Sequence, residues 1–147
     1  MKYLVMILLV SCATAPKKAD FINNQTYNLS YDKVWESVVS FFATNGLDLK
    51  TIDKNSGLLV AEKSWQDNSY SDCGSAGMIG VRVPGSLSKF NVLIEKISSK
   101  STKVTVNQFA KSLTKVTSVN PYFGSSDVVG ECFSTGKLEK MIFESIK

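Results

Sequence analysis

Between residues 31 and 42 apolar side chains return every three or four positions, at Tyr31, Val34, Trp35, Val38, Val39 and Phe42. That spacing predicts a helix with one wide apolar stripe. Ser30 stands as its N-cap, Asp32 in its first turn complements the helix dipole, and Gly46 is placed to end it. Elsewhere the period falls to two. Residues 26–29 read as a short first strand, and residues 47–52 and 58–65 as a hairpin around the turn formers Asp53, Lys54, Asn55, Ser56 and Gly57. Phe90, Val92 and Ile94 alternate on one face, as do Val104 and Val106 after a turn over 98–102, which predicts antiparallel strands at about 89–97 and 103–112. Leu138, Met141, Ile142 and Ile146 restore the helical period, with Ser134 or Thr135 as the cap.

Two stretches lack a regular rhythm. Residues 66–88 carry Asp67, Asn68, Gly74, Gly77, Gly80, Pro84 and Gly85, with a short edge strand predicted at 78–83; residues 115–130 carry Pro121 and Gly124. The elements sum to an α+β fold in the order β-α-β-β-β-β-α: an antiparallel sheet of about four or five strands with two helices packed on one face. Trp35, Phe41 and Phe42 read as core covering that sheet rather than as a stacking platform.

At the start of the chain one positive charge, Lys2, precedes an unbroken apolar run over residues 3–10, then Ser11 and Cys12. This is the shape of a secretory signal peptide. The run is far short of the roughly 20 residues a membrane span requires. Leu9, Val10, Ser11 and Cys12 resemble a bacterial lipobox, in which the thiol is acylated before cleavage. The resemblance implies that residues 1–11 are removed and that the mature protein begins at a palmitate-type lipid on Cys12, anchored to a membrane outside the cytoplasm. Residues 12–25, with Pro16, Lys17 and Lys18, then read as a flexible tether to a single domain at 26–147. Each of the two lysines contributes on the order of 1 kcal/mol near anionic headgroups. Ala13 stands where enterobacterial lipoproteins retained at the inner membrane carry Asp. The resemblance therefore points to the outer membrane, facing the periplasm.

The net charge of +4 is spread along the 147 residues, and Arg82 is the one arginine. A nucleic-acid footprint needs clustered basic residues, so that class of partner is set aside. With Cys12 assigned to lipid, Cys73 and Cys132 remain as a pair. Outside the cytoplasm such a pair reads as a disulfide; two separate reduced thiols are the alternative. Closing a loop of that length is worth roughly 4 kcal/mol on the chain-entropy account.

The chain contains no histidine, which removes the usual general base, the Ser-His and Cys-His pairs and most zinc sites. Asp53, Glu62, Asp67, Asp72, Glu95, Asp127, Glu131, Glu139 and Glu144 are dispersed and read as solvated surface carboxylates rather than a catalytic pair. Gly74, Gly77 and Gly80 miss the dinucleotide spacing. Gly136-Lys137 resembles the end of a phosphate loop, but Leu138 replaces the hydroxyl residue and Gly130 lies one position too far upstream, so a plain helix cap is expected there. The expectation is no enzyme, no metal and no cofactor.

Val34-Trp35 in the first helix, the turn and strand over residues 53–60, and residues 134–139 at the start of the last helix resemble small envelope lipoproteins with a helix-grip domain, of which BamC-like accessory lipoproteins are one example. What the resemblance implies is a non-enzymatic binding or accessory module working through protein contacts with an envelope partner. Tyr70, Tyr122 and Phe123 in the irregular stretches are the candidate contact loop. The alternative is a periplasmic carrier of a small hydrophobic ligand or lipid, with an apolar cavity between sheet and helices.

Overall fold

A computed structural model of the chain describes residues 14–67, 69–74, 85–116 and 126–147. Within them the elements are β1 (Asn24–Tyr27), α1 (Tyr31–Thr44), β2 (Asp48–Asp53), β3 (Leu58–Trp65), β4 (Ser71–Asp72), β5 (Ser86–Ser98), β6 (Ser101–Val116), β7 (Ser126–Ser134) and α2 (Lys137–Ser145). The fold is α+β. Its seven described strands form one antiparallel sheet in the order β2-β3-β5-β6-β7-β4, with β1 also on β6.

This corrects the expected four or five strands. β7 begins in the stretch read as irregular and runs past its end, β4 has only two residues, and β5 and β6 run beyond their predicted ends. The edge strand expected at 78–83 lies outside the described residues, as do Tyr122 and Phe123. The cap of α2 is also corrected: Gly136, in the left-handed region at φ 77°, takes the place predicted for Ser134 or Thr135.

The strand β5 displays the logic of the sheet. Ser86, Ser88, Phe90, Val92 and Ile94 are buried, while Leu87, Lys89 and Leu93 between them face outward. The inner face of β3, β5 and β6 packs with Val34, Trp35, Val38, Phe41 and Phe42 of α1 and with Leu138, Ile142 and Phe143 of α2 in one core. Both helices therefore cover the same side of the sheet. The stripe of α1 ends as predicted, with Gly46 at φ 63° after Asn45, whose backbone and side-chain nitrogens both donate to the Phe41 carbonyl. Tyr27 donates from its hydroxyl to the Phe143 carbonyl at 2.9 Å, joining β1 to the end of α2, and burial pushes its pKa up to about 12.

The β2–β3 turn is held by Asp53, whose carboxylate accepts from the Asn55 amide and the Ser56 hydroxyl. It docks onto β5 through Gly57, which sits at φ 75° and accepts from the Ile94 amide at 2.9 Å. A Cβ on Gly57 would run into the Ile94 carbonyl, so only glycine fits. At the opposite edge, β4 pairs Ser71 with Ser134 and Asp72 with Phe133. The next step of that register brings Cys73 against Cys132, whose sulfurs are bonded at 2.05 Å.

Residues 14–23, in the stretch expected as a tether, lie along the domain. The Lys17 amide donates to Asp72 at 3.0 Å, Phe21 packs on Gly136, and the Asn23 carbonyl accepts from the Val106 amide at 2.8 Å.

Two outcomes test this frame. Without reductant, the folded protein should take up no alkylating reagent at Cys73 or Cys132, and the double serine variant should lose about 2–4 kcal/mol in urea unfolding. Gly57→Ala should cost about 2 kcal/mol or more by the same measurement, because strain and a backbone collision coincide.

Candidate functional site

The sheet face turned away from the helices carries an apolar patch. Leu87, Phe109 and Phe133 remain 39, 59 and 38% exposed. The strand registers bring them together: Leu87 lies opposite Lys111 and Lys89 opposite Phe109 on β5–β6, and the β6–β7 ladder ending at Ala110–Cys132 sets Phe133 beside Phe109. Phe21 and Asn23 of the N-terminal segment flank the patch, and the cavity between them has a volume of about 820 Å³.

β1 and β7 share one edge of β6. The β1 pairing covers 102–105 and the β7 pairing 110–116, so β6 is bordered there by neither ladder over 106–109. At this gap the cavity reaches Gln108, Ser134 and Glu139 from the helix side of the sheet. These three join Ser71 and Ser88 in a polar cluster. Gln108 Nε2, with two hydrogens to give, lies within hydrogen-bond reach of the Tyr70 carbonyl at 3.1 Å, Ser71 Oγ at 2.8 Å and Ser88 Oγ at 3.0 Å. A carbonyl only accepts, so this amide orientation is fixed and Gln108 Oε1 faces Ser134 Oγ at 3.0 Å.

Ser134 Oγ also lies 2.7 Å from Glu139 Oε1 and accepts from the Gly136 amide at 3.0 Å. A hydroxyl has one hydrogen, yet two acceptor oxygens flank it. A proton on Glu139 would close the count, the acid then donating to Ser134 and Ser134 to Gln108. Burial pushes in the same direction. Glu139 is 1% exposed, and desolvation raises its pKa; the Ser134 hydroxyl and Glu139's own backbone N–H pull less strongly the other way. Its second oxygen, Oε2, has no hydrogen-bond partner among the described residues.

Glu139 thus corrects the expectation of a solvated surface carboxylate. Its signal was present in the sequence: Glu139, Ile142, Phe143 and Ile146 follow the i, i+3, i+4, i+7 spacing of a buried helix face, with an acid in the first place. Gln108 and Ser88 likewise occupy inward positions in the alternation of β6 and β5.

Tyr70, expected as a free contact residue, stacks on Trp65 with ring centroids 3.9 Å apart and lies under Lys137 Nζ at 4.8 Å. It is partly buried and packs against the core. Cys73 and Cys132 are brought together, whereas Cys12 lies outside the described residues. Among the described residues, no three acids or cysteines form a group suited to a metal ion, and no helix is long and apolar enough to cross a membrane.

The buried acid gives a pH signature. Its folded pKa is raised, so its contribution is fully present below the unfolded value near 4.5 and is lost as pH rises through the folded value. Glu139→Gln preserves the donor to Ser134 without ionising. Urea unfolding across pH 4–9 should show wild type losing stability relative to this variant as pH rises, at up to about 1.4 kcal/mol per pH unit within that window. A difference independent of pH would contradict a protonated Glu139. No protein-family model matches this chain, and no curated protein sequence matches it at a significant level.

Proposed function

We propose that the chain is a bacterial envelope lipoprotein, held to the outer membrane on its periplasmic side by an acylated Cys12, whose domain acts without catalysis through contacts with an envelope protein. The observation that carries the contact surface is the exposed row Leu87, Phe109 and Phe133 on the face opposite the helices. An apolar cluster ringed by Lys89, Lys111 and Glu131 matches the make-up of a protein interface: an aromatic centre within a charged rim. The anchor is supported by the lipobox resemblance, and the non-enzymatic reading by a chain without histidine.

A second reading has its own support. The core between helices and sheet is occupied by Phe42, Phe90, Ile142 and their neighbours, all with negligible exposure, so a lipid has no room among them. The cavity on the other face, with Phe109 and Phe133 in its wall, is of a size that suits a small amphiphile. A carrier built on this fold would load there.

Metabolic labelling with palmitate tests the anchor. Wild type should take up label and sediment with membranes, while Cys12→Ala should lose both; retention of both would refute the anchor. For the contact surface, a photocrosslinker at exposed Asn107 should yield a discrete adduct that Phe109→Asp abolishes while unfolding stability changes by less than about 1 kcal/mol. An adduct indifferent to that substitution would move the contact elsewhere.

A further inference from the structure

We infer that residues 14–23 are a fixed strap and not a tether, and that they hold the β4–β7 rim of the domain against the headgroup layer of the membrane that carries the lipid on Cys12. This rests on the lipid anchor proposed above and adds to it which side of the domain meets the bilayer.

Four contacts seat the strap. The Lys17 amide donates to Asp72 at 3.0 Å, Phe21 packs on Gly136, the Asn23 carbonyl accepts from the Val106 amide at 2.8 Å, and Asn23 Nδ2 donates to Asn107 Oδ1 at 3.1 Å. The strap begins at the end of β4. Gly74 sits at φ 69°, and a Cβ there would collide with the Thr14 carbonyl and the Pro16 nitrogen, so the strap lies where a side chain would otherwise stand. The residue before it, Cys73, is bonded to Cys132 of β7. The described chain therefore leaves the domain at the β4–β7 rim.

Covalent geometry then limits how far the rim can be from the lipid. A chain advances at most about 3.6 Å per residue, so the Cα of Cys12 lies within about 7 Å of that of Thr14. A loose chain up to Asn24 would have raised that limit to about 40 Å. The far edge of the sheet, β2, lies five strand spacings from β4, or about 24 Å away. However the domain swivels on so short a link, its rim stays at the bilayer surface. The β2–β3 turn is the part left to stand clear.

Charge attraction does not set this orientation. Lys17 and Lys18 would each gain on the order of 1 kcal/mol near anionic headgroups. Asp20 follows them on the strap, and Asp72 lies at the Lys17 amide, its carboxyl held below the usual carboxylate range by the amides of Gly74 and Lys17 and so ionised at neutral pH. Two cations and two anions balance, which leaves the length of the link in control. Phe133 pairs with Asp72 at this rim, so the apolar row on the open face begins beside the headgroups.

The mature lipidated chain, placed in nanodiscs with a nitroxide on the lipid headgroup, tests this by NMR. Amide signals of Lys17, Lys18, Asp72 and Gly74 should broaden several-fold more than those of Asn55 and Ser56 in the β2–β3 turn. The contrast should be the same in phosphatidylcholine and phosphatidylglycerol discs. A Gly-Ser linker of about 20 residues between Ala13 and Thr14, with a root-mean-square span of about 25 Å, leaves the four contacts in place and should largely remove the contrast while the protein stays on the discs. Equal broadening of rim and turn in wild type, or stronger broadening of the turn, would overturn the orientation while the anchor stood. A contrast that survives the linker would overturn it too, because the rim would then hold lipid without the short link. Absence of palmitate on Cys12 would remove the anchor and the orientation together.

Discussion

Two strands compete for one edge of β6. β1 takes the early part of that edge and β7 the later part, and neither can extend past the other. The chain must therefore leave the sheet at both sides of the gap. On one side it turns away before Asn23, which sends Phe21 across to Gly136. On the other it turns inward after Ser134 and starts α2 at once, so the first turn of that helix carries Glu139 directly beneath the gap. The polar cluster, the glycine cap and the cavity all follow from this shared edge. A single β7 running the whole length of β6 would have covered the opening and left Glu139 no place.

The polar cluster also explains why the inner face changes character along its length. Toward the β5–β6 turn, the rows Phe90-Val92-Ile94 and Val104-Val106 are apolar and close-packed against both helices. Toward the other end the same alternation places Ser86, Ser88 and Gln108 inward. Apart from Trp65, Tyr70 and Ala110, apolar burial gives way there to hydrogen bonding. Gln108 organises it by addressing Tyr70, Ser71 and Ser88 with its nitrogen and Ser134 with its oxygen. Ser86 Oγ and Trp65 Nε1, opposite one another on β5 and β3, have no hydrogen-bond partner among the described residues.

Much of the frame was legible in the sequence. α1 and β3 each carry the clean period of a one-sided face, and the Asp53 to Gly57 turn is fixed by local chemistry. β4 was invisible because two residues hold no period; its place is set by pairing with β7, a relation 60 or so positions away in the chain. β7 was masked by Gly130 and by the turn-forming residues before it, although Glu131, Cys132, Phe133 and Ser134 do alternate. The stacking of Tyr70 on Trp65 was not legible, because an aromatic in an irregular stretch gives no hint of its partner. The cavity was illegible for a different reason: Leu87, Phe109 and Phe133 come from three strands, and only the registers make them neighbours.

The bridge between Cys73 and Cys132 has one further consequence. A ladder of two residue pairs is short, and the covalent link adds to the hydrogen bonds from Gln108, Thr135 and the Lys17 amide in keeping β4 along the rim of β7. Were β4 to lift away, the freed edge of β7 would be a template for a strand from another molecule. In this protein the sulfur–sulfur bond thus also works against self-association, by helping to keep β4 over the outer edge of β7.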